Sequence, residues 1–337
     1  MNAMKRRTLL IVGCGDIALR AAPLLQAHYR LLGLYRKPES RDLLRRHGIT
    51  PVSGDLDIPG SLGKVAGMAH AVLHLAPPPV RGRRDTRTAN LLAALAKRPK
   101  MKEAILPQRL VYISTSGVYG NCRGAQVDET RLINPQTERA LRRADAERQI
   151  RGWGLRNGVN VSILRVPGIY ADDRLPFARL REGAPVLLPE DDSYTNHIHA
   201  DDLARILFAA LRHAKPGRIY HACDDSDLKM GEYFDLVADR LELPRPPRIP
   251  RIHAEARIGP GMLSFMQESR RLTNTRIKHE LHVNLRYPTV AECFAEGAAA
   301  KAMENSKIGS ISRKEKVDPG RPAHQDGTHT HHYQLAR

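Results

Sequence analysis

The chain has 337 residues, of which 42% are hydrophobic and only 5% aromatic, so it can bury a sizeable core that aliphatic side chains and alanine must fill. No apolar run approaches the roughly 18–20 residues a membrane span needs, and the four cysteines, Cys14, Cys122, Cys223 and Cys293, lack the paired spacing of a zinc site or disulfide framework. The net charge of +18 admits a nucleic-acid partner, but the cations are scattered without an aromatic-interleaved platform, which favours solvated surface charge that helps attract anionic small molecules.

Lys5, Arg6 and Arg7 precede Leu9–Val12 and faintly imitate a signal peptide. The apolar stretch is too short and breaks at Gly13-Cys14-Gly15, so a buried first strand over Thr8–Val12 is the better reading. No export is expected, which places the protein in the cytoplasm.

From there strands and helices alternate. Ile17, Ala21, Leu24 and Leu25 recur at helical spacing. Tyr29–Tyr35 reads as a strand, Ser40–His47 as a helix and Thr50–Val52 as a short strand. Ile58-Pro59-Gly60-Ser61 opens a helical turn, Ala69–Leu75 is a strand and Thr86–Ala96 a helix. Arg109–Ser114 is a fifth strand. A long polar helix follows Asn134-Pro135 to about Leu155, and Val159–Leu164 is a sixth strand. The alternation predicts a doubly wound parallel sheet covered on both faces, an α/β Rossmann-type fold. Asp201–Leu211 is amphipathic, Arg218–His221 is strand-like and Met230–Leu241 helical. Pro244–Pro250 is extended or irregular, and Thr273–Leu281 and Thr289–Met303 are short helices. The domain expectation is a dinucleotide-type domain over 1–165, the remaining sheet elements and a smaller C-terminal lobe over 166–303, and a disordered basic tail over 304–337. That tail carries His324, His329, His331 and His332, but a flexible segment lacks a fixed ligand shell, so no metal is expected.

Gly13-Cys14-Gly15-Asp16-Ile17-Ala18 follows a strand and opens a helix, the G-x-G-x-x-A pattern. The first glycine permits the tight turn, the second lets the backbone approach a diphosphate, and the small third residue lets helix and strand pack closely. The amide groups around Asp16 and Ile17 then face the phosphates. An NAD enzyme usually places a carboxylate at the end of the second strand. This chain has Leu34-Tyr35-Arg36-Lys37 instead. Arg36 can pair with a 2′-phosphate and Lys37 adds charge, so NADP(H) is favoured, with NAD as the lesser option. Asp55 and Leu56 after the third strand would face the adenine, or Asp55 merely forms a turn. Leu75 and Ala76 end the fourth strand, where backbone passes the cofactor's ribose; His74 reads as a packed histidine.

Several separated motifs together resemble the atypical and extended short-chain dehydrogenase/reductases, the NAD-dependent epimerase/dehydratases. They are the Gly13–Ala18 turn, Gly54-Asp55-Leu56, the run from Ile113 to Gly120 (ISTSGVYG), the run from Leu164 to Tyr170 (LRVPGIY), the run from Asn196 to Asp202 (NHIHADD), Met230–Phe234 and the stretch from Ser269 to Leu281. The resemblance covers residues 8 to about 300. It implies a Rossmann domain with a small C-terminal substrate lobe, a small-molecule substrate, and often a nucleotide sugar. It also implies a catalytic set of Ser or Thr, Tyr, and Lys four residues after the Tyr. Thr115 stands at the first position with Ser116 beside it, but the Tyr position holds Arg139 and the Lys position Arg143. A guanidinium stays protonated and cannot relay a proton as phenol does. Arg143 can still hold a ribose. Tyr119, Tyr170, Glu129, His197 and His199 read as structural, and Asp201 as the cap of the helix it opens.

Three functions stand open on this reading. The first is an NADP-dependent oxidoreductase or epimerase-like enzyme on a small polar carbonyl, alcohol or sugar-type substrate, with Thr115, Ser116 and Arg143 at its centre. The second is a catalytically silent NADP(H)-binding sensor. The third, less favoured, is a nucleic-acid-associated protein. No membrane association is expected, and a homodimer stays open.

Overall fold

The computed structural model describes residues 6–97 and 105–295. Seven strands form the main sheet: β1 (Arg7–Val12), β2 (Tyr29–Tyr35), β3 (Thr50–Ser53), β4 (Ala71–His74), β5 (Arg109–Thr115), β6 (Asn160–Val166) and β7 (Ile219–His221). Their spatial order is β7-β6-β5-β4-β1-β2-β3, and every neighbouring pair is parallel. The order runs outward in both directions from β1 and β4. A crevice therefore opens between them at the carboxyl ends, where doubly wound sheets bind ligands.

Burial explains why these segments are strands. Leu9, Leu10, Ile11 and Val12 are all fully buried, as expected of a parallel strand covered on both faces. One face carries α1 (Asp16–Gln26) and the later helix Ala200–His213, whose Leu203, Ile206, Leu207 and Ala210 join Leu9, Ile11 and Leu73 in one cluster. The other face carries α3 (Thr86–Ala96) and α4 (Glu138–Asn157), with Leu91, Leu95, Ile150 and Trp153 packed on Leu10, Val72 and Leu110. Between β2 and β3 runs the short α2 (Ser40–Arg46). Helix ends follow local chemistry. The Asp85 side chain accepts from Thr88 N at the start of α3, and Thr137 Oγ1 accepts from Ala140 N at the start of α4. Gly158, at φ +65°, ends α4 in the left-handed conformation.

The apolar core crosses residue 165: Leu164 and Val166 pack in the same cluster as Leu9, Tyr220 and Ile277. A further cluster surrounds the helix Met230–Arg240, with Val186, Leu187, Ile249, Met266 and Phe294 against Tyr233, Phe234 and Val237. The Pro-rich stretch contains a two-residue strand, Arg248–Ile249, paired in parallel with Val186–Leu187. The chain is helical again from residue 290; the rest of that expected helix, and the tail over 304–337 with its histidines, lie outside the described residues. Among the described residues no helix is long and apolar enough to cross a membrane, and no group of His, Cys, Asp and Glu is arranged to hold a metal ion. Cys14, Cys122 and Cys223 are free thiols.

One expectation needs correction. Asp201 does not cap the helix Ala200–His213; His199 does, its Nδ1 accepting from Asp201 N at 3.2 Å. The Asp201 carboxylate is instead drawn to Arg20 Nη1 at 2.9 Å. Arg20 also pairs with Asp16 and Asp173, which ties α1 to two later segments.

Candidate active site

Gly13 leaves β1 at φ +95°, in the region that favours glycine. A Cβ there would stand 2.4 Å from Ala76 N and 2.7 Å from the Leu75 carbonyl carbon. The turn is thus pressed against the backbone that leaves β4, and only hydrogen fits. Gly15 differs: a Cβ on it would meet nothing within 4 Å. Gly15 is the N-cap of α1, and among the described residues no side chain bonds the free amide groups of that end. Open space before unclaimed N–H groups is what a diphosphate needs. Asp16 and Ile17 follow in the first turn, the Asp16 carboxylate held by Arg20 and Arg174 at 2.8 Å each.

A cleft of about 260 Å³ extends from this turn toward β2 and β3, lined by Gly13, Arg36, Lys37, Asp55, Leu56 and Ala76, with Arg87 and Ser40 among the others. Leu75 sits behind it against the core. Arg36 and Lys37 are exposed, with Asp57 and Glu39 at 3.9 Å. Asp55 lines the cleft, and its Oδ1 accepts from Asp57 N in the local turn that the sequence allowed. Arg87, which sequence reasoning missed, reaches across from α3. It donates bidentately to Asp57 (2.7 and 2.6 Å) and to the Pro77 carbonyl. The Arg87 bond holds the Asp57 carboxyl below its usual range, and Arg36 adds to the effect. The carboxylate nearest Arg36 is therefore already claimed, and the charge of Arg36 faces the cleft largely unspent.

A second cavity, about 350 Å³, lies at the ends of β5 and β6. Thr115, Ser116, Arg139, His197, Glu268 and Arg270 contribute to its wall. Thr115 Oγ1 accepts from Gly117 N at 3.2 Å and so shapes the turn Ser116–Tyr119. Arg143 Nη1 turns back onto the sheet. It donates to the Tyr112 hydroxyl (2.9 Å) and the Ile113 carbonyl (2.8 Å), bracing the end of β5. Arg139, where the resemblance leads us to expect a Tyr, lies over the Phe265 ring at 4.0 Å.

Glu268 had no signal in the sequence, and Arg270 lay in the Ser269–Leu281 stretch without a role of its own. The strand Arg271–Leu272 pairs with Gln126–Val127, and Asn196 clamps it, donating to the Arg270 carbonyl and accepting from Leu272 N. This brings Glu268 against Gly117: Glu268 Oε2 is 3.6 Å from where a Cβ would stand, ordinary contact distance. Arg270 Nη1 donates to Glu268 Oε2 and to the Gly120 carbonyl, both at 3.0 Å.

The other titratable groups nearby are structural. The Tyr119 hydroxyl lies 2.6 Å from His221 Nε2 and accepts from Arg165 Nη1 at 2.6 Å. Since His221 Nδ1 faces the Thr273 carbonyl, the neutral ring donates there and Nε2 accepts from Tyr119. Burial pushes His221 down to about 3, which keeps that tautomer neutral. Arg165 forms a fully buried pair with Glu147, and Ser114 Oγ donates to the same carboxylate at 2.6 Å. Glu129 accepts from His221 N and pairs with Arg276. His197 stacks on Tyr233 with centroids 4.0 Å apart, and burial pushes it down to about 3. His74 bonds Thr88 Oγ1. None of these is poised as a solvent-facing acid.

The model of the NAD-dependent epimerase/dehydratase family matches residues 19–223. The chain belongs to that family. Members and relatives of solved structure share the fold. A functionally unknown conserved protein from Silicibacter pomeroyi is 28% identical, with a TM-score of 0.70 over 87% of this chain and 99% of its own. The dTDP-glucose 4,6-dehydratase DesIV of Streptomyces venezuelae, solved with NAD bound, is 19% identical, with a TM-score of 0.66 over 85% of this chain and 95% of its own. The UDP-glucose 4-epimerase of Thermotoga maritima, solved with UDP-glucose, is 16% identical, with a TM-score of 0.67 over 85% and 96%. No curated protein matches the chain.

Proposed function

We propose that this family member binds NADP(H) in the crevice at Gly13–Ile17 and acts in the cytoplasm as an oxidoreductase or epimerase-like enzyme. Its substrate is a small polar carbonyl, alcohol or sugar-type compound in the second cavity. In this reading residues 1–165 hold the dinucleotide and residues 166–303 complete the sheet and frame the substrate. The observation that carries the cofactor choice is the tip of β2, where Arg36 and Lys37 stand over the cleft and Asp57 is occupied by Arg87.

When bound, the nicotinamide supplies the hydride acceptor or donor. The chain's own residues bind and orient. The amides of Gly15, Asp16 and Ile17 receive the diphosphate, and Arg36 and Lys37 the 2′-phosphate. Asp55 and Leu56 flank the adenine, and the backbone of Leu75 and Ala76 the ribose. Arg143 braces β5 and offers its remaining donors to the nicotinamide ribose. Thr115 and Ser116 hydroxyls hold the reacting oxygen of the substrate.

The alternative, a silent NADP(H) sensor, is favoured by one observation: a guanidinium at position 139 cannot pass a proton. Turnover on a carbonyl panel, abolished in Thr115→Val, separates the two. The cofactor reading is tested by titration calorimetry with NADPH and NADH. A charge-assisted bond to the extra phosphate contributes about 1.5–3 kcal/mol, so wild type should prefer NADPH by at least about tenfold. Arg36→Glu should erase or reverse that preference; an unchanged preference refutes the assignment.

A further inference from the structure

The second cavity holds a combination of polar groups that the proposed reaction class does not require. Among the described residues Arg139 makes no hydrogen bond or ion pair, although it is half-buried and faces the cavity across the Phe265 ring. Glu268 Oε1 and Arg270 Nε are buried and also without a partner among the described residues. Glu268 and Arg270 neutralise each other through the 3.0 Å bond. Buried donors and acceptors are almost always satisfied, so two orphans side by side and a guanidinium with its donors free mark a place for a polar ligand. The lining also includes the apolar side chains of Phe234, Met230 and Met262, which raises the cost of leaving a charge unpaired. Burial pushes the Arg139 pKa down; Glu268 opposes this, while Arg270, Arg142 and Arg143 add to it. An anion delivered by the ligand would relieve that crowding.

We propose that this cavity recognises a small hydroxycarboxylate, a compound of sugar-acid type, with the carboxylate on the Arg139 guanidinium and a neighbouring hydroxyl donating to Glu268 Oε1. The charge count selects carboxylate over phosphate. One guanidinium is left unneutralised, and a singly charged carboxylate matches it with the planar two-donor geometry that arginine offers. A doubly charged phosphate would leave an excess negative charge beside Glu268. The unbonded Arg270 Nε donates to a second ligand oxygen. At about 350 Å³ the cavity has the size of a small-ligand site. The departure at position 139 thus becomes a specificity device: the residue that cannot relay a proton anchors the substrate's charge.

This inference rests on the second cavity being the substrate site, and calorimetry on the full chain tests it with three probes: D-glucuronate, D-glucose and D-glucose 6-phosphate, each with and without NADPH. Glucuronate is expected to bind at least about tenfold tighter than glucose, and tighter than glucose 6-phosphate. Arg139→Met should bring glucuronate to the level of glucose, and Arg139→Lys should keep part of the preference, which excludes misfolding as the cause. The proposal is overturned if glucose or glucose 6-phosphate binds as well as glucuronate, if Arg139→Met leaves glucuronate affinity intact, or if no probe binds. Loss of glucuronate recognition with NADPH binding intact refutes the pocket assignment alone. Glucuronate binding without any NADPH binding refutes the dinucleotide reading alone.

Discussion

Two glycines two residues apart should fail for opposite reasons when each becomes alanine. At position 13 the new Cβ meets backbone atoms at 2.4–2.7 Å on a residue at φ +95°. The left-handed conformation costs about 1–2 kcal/mol for a residue with a side chain, and forcing the contact adds about 1–3 kcal/mol. Gly13→Ala should therefore lose about 2–5 kcal/mol of folding stability in urea without any ligand. At position 15 the φ is −89° and the added methyl touches nothing. Alanine is a poorer N-cap than glycine by about 1 kcal/mol, but the reduced freedom of the unfolded chain returns about 0.4–1 kcal/mol. Gly15→Ala should unfold like wild type, within about 1 kcal/mol. Its methyl group, however, projects into the open space before α1, where the diphosphate is proposed to lie. Wild type at one hundred times its Kd gains about 2.7 kcal/mol from NADPH, and a tenfold weaker variant at the same concentration gains only about 1.4 kcal/mol. Parallel urea titrations with and without NADPH read both numbers. If Gly15→Ala keeps the full NADPH increment, the diphosphate does not sit at the start of α1 and the reasoning fails.

Other expectations follow from buried charge. Arg165 and Glu147 are each 4% exposed and doubly bonded, so Glu147→Gln or Arg165→Met alone should cost about 3–5 kcal/mol. Replacing both together with Leu and Met should recover most of that loss in the same urea assay; a double variant as unstable as the sum of its singles would contradict this. The pH dependence of stability carries a signature of His197. Its folded pKa, about 3, lies below the usual value near 6.5, so between these limits the unfolded state binds the extra proton and stability falls as pH falls. At pH 5 this one group subtracts about 2 kcal/mol relative to pH 7.5. His197→Phe should lose correspondingly less over that interval, and an unchanged pH profile would show that the ring is not held neutral.

Much of the fold was legible because its signals are local. Tyr29–Tyr35 and Thr86–Ala96 match the strand and helix bounds read from apolar period alone, since their buried residues face one continuous core. The glycine turn was legible because a tight turn, a close approach and a helix start must fall within a few residues. The missing pieces depend on contacts between distant segments. Arg87 matters because its partner Asp57 arrives from another loop, 30 residues away. Glu268 and Arg270 reach the cavity through a two-residue strand paired with Gln126–Val127, too short to show any period. The five-residue helix Phe177–Arg181 and the helix Pro260–Met266 lack a sustained apolar face. His199 was overlooked as a cap because Asp201 is the commoner capping residue type, while Arg20, distant in sequence, had claimed it.

The most direct test of the central claim is a crystal structure of the full chain grown with NADPH. The diphosphate is expected within hydrogen-bonding distance of the amide groups at Gly15–Ile17, and the 2′-phosphate against the Arg36 guanidinium. A dinucleotide lodged elsewhere, or a 2′-phosphate pointing to solvent away from Arg36, would contradict it.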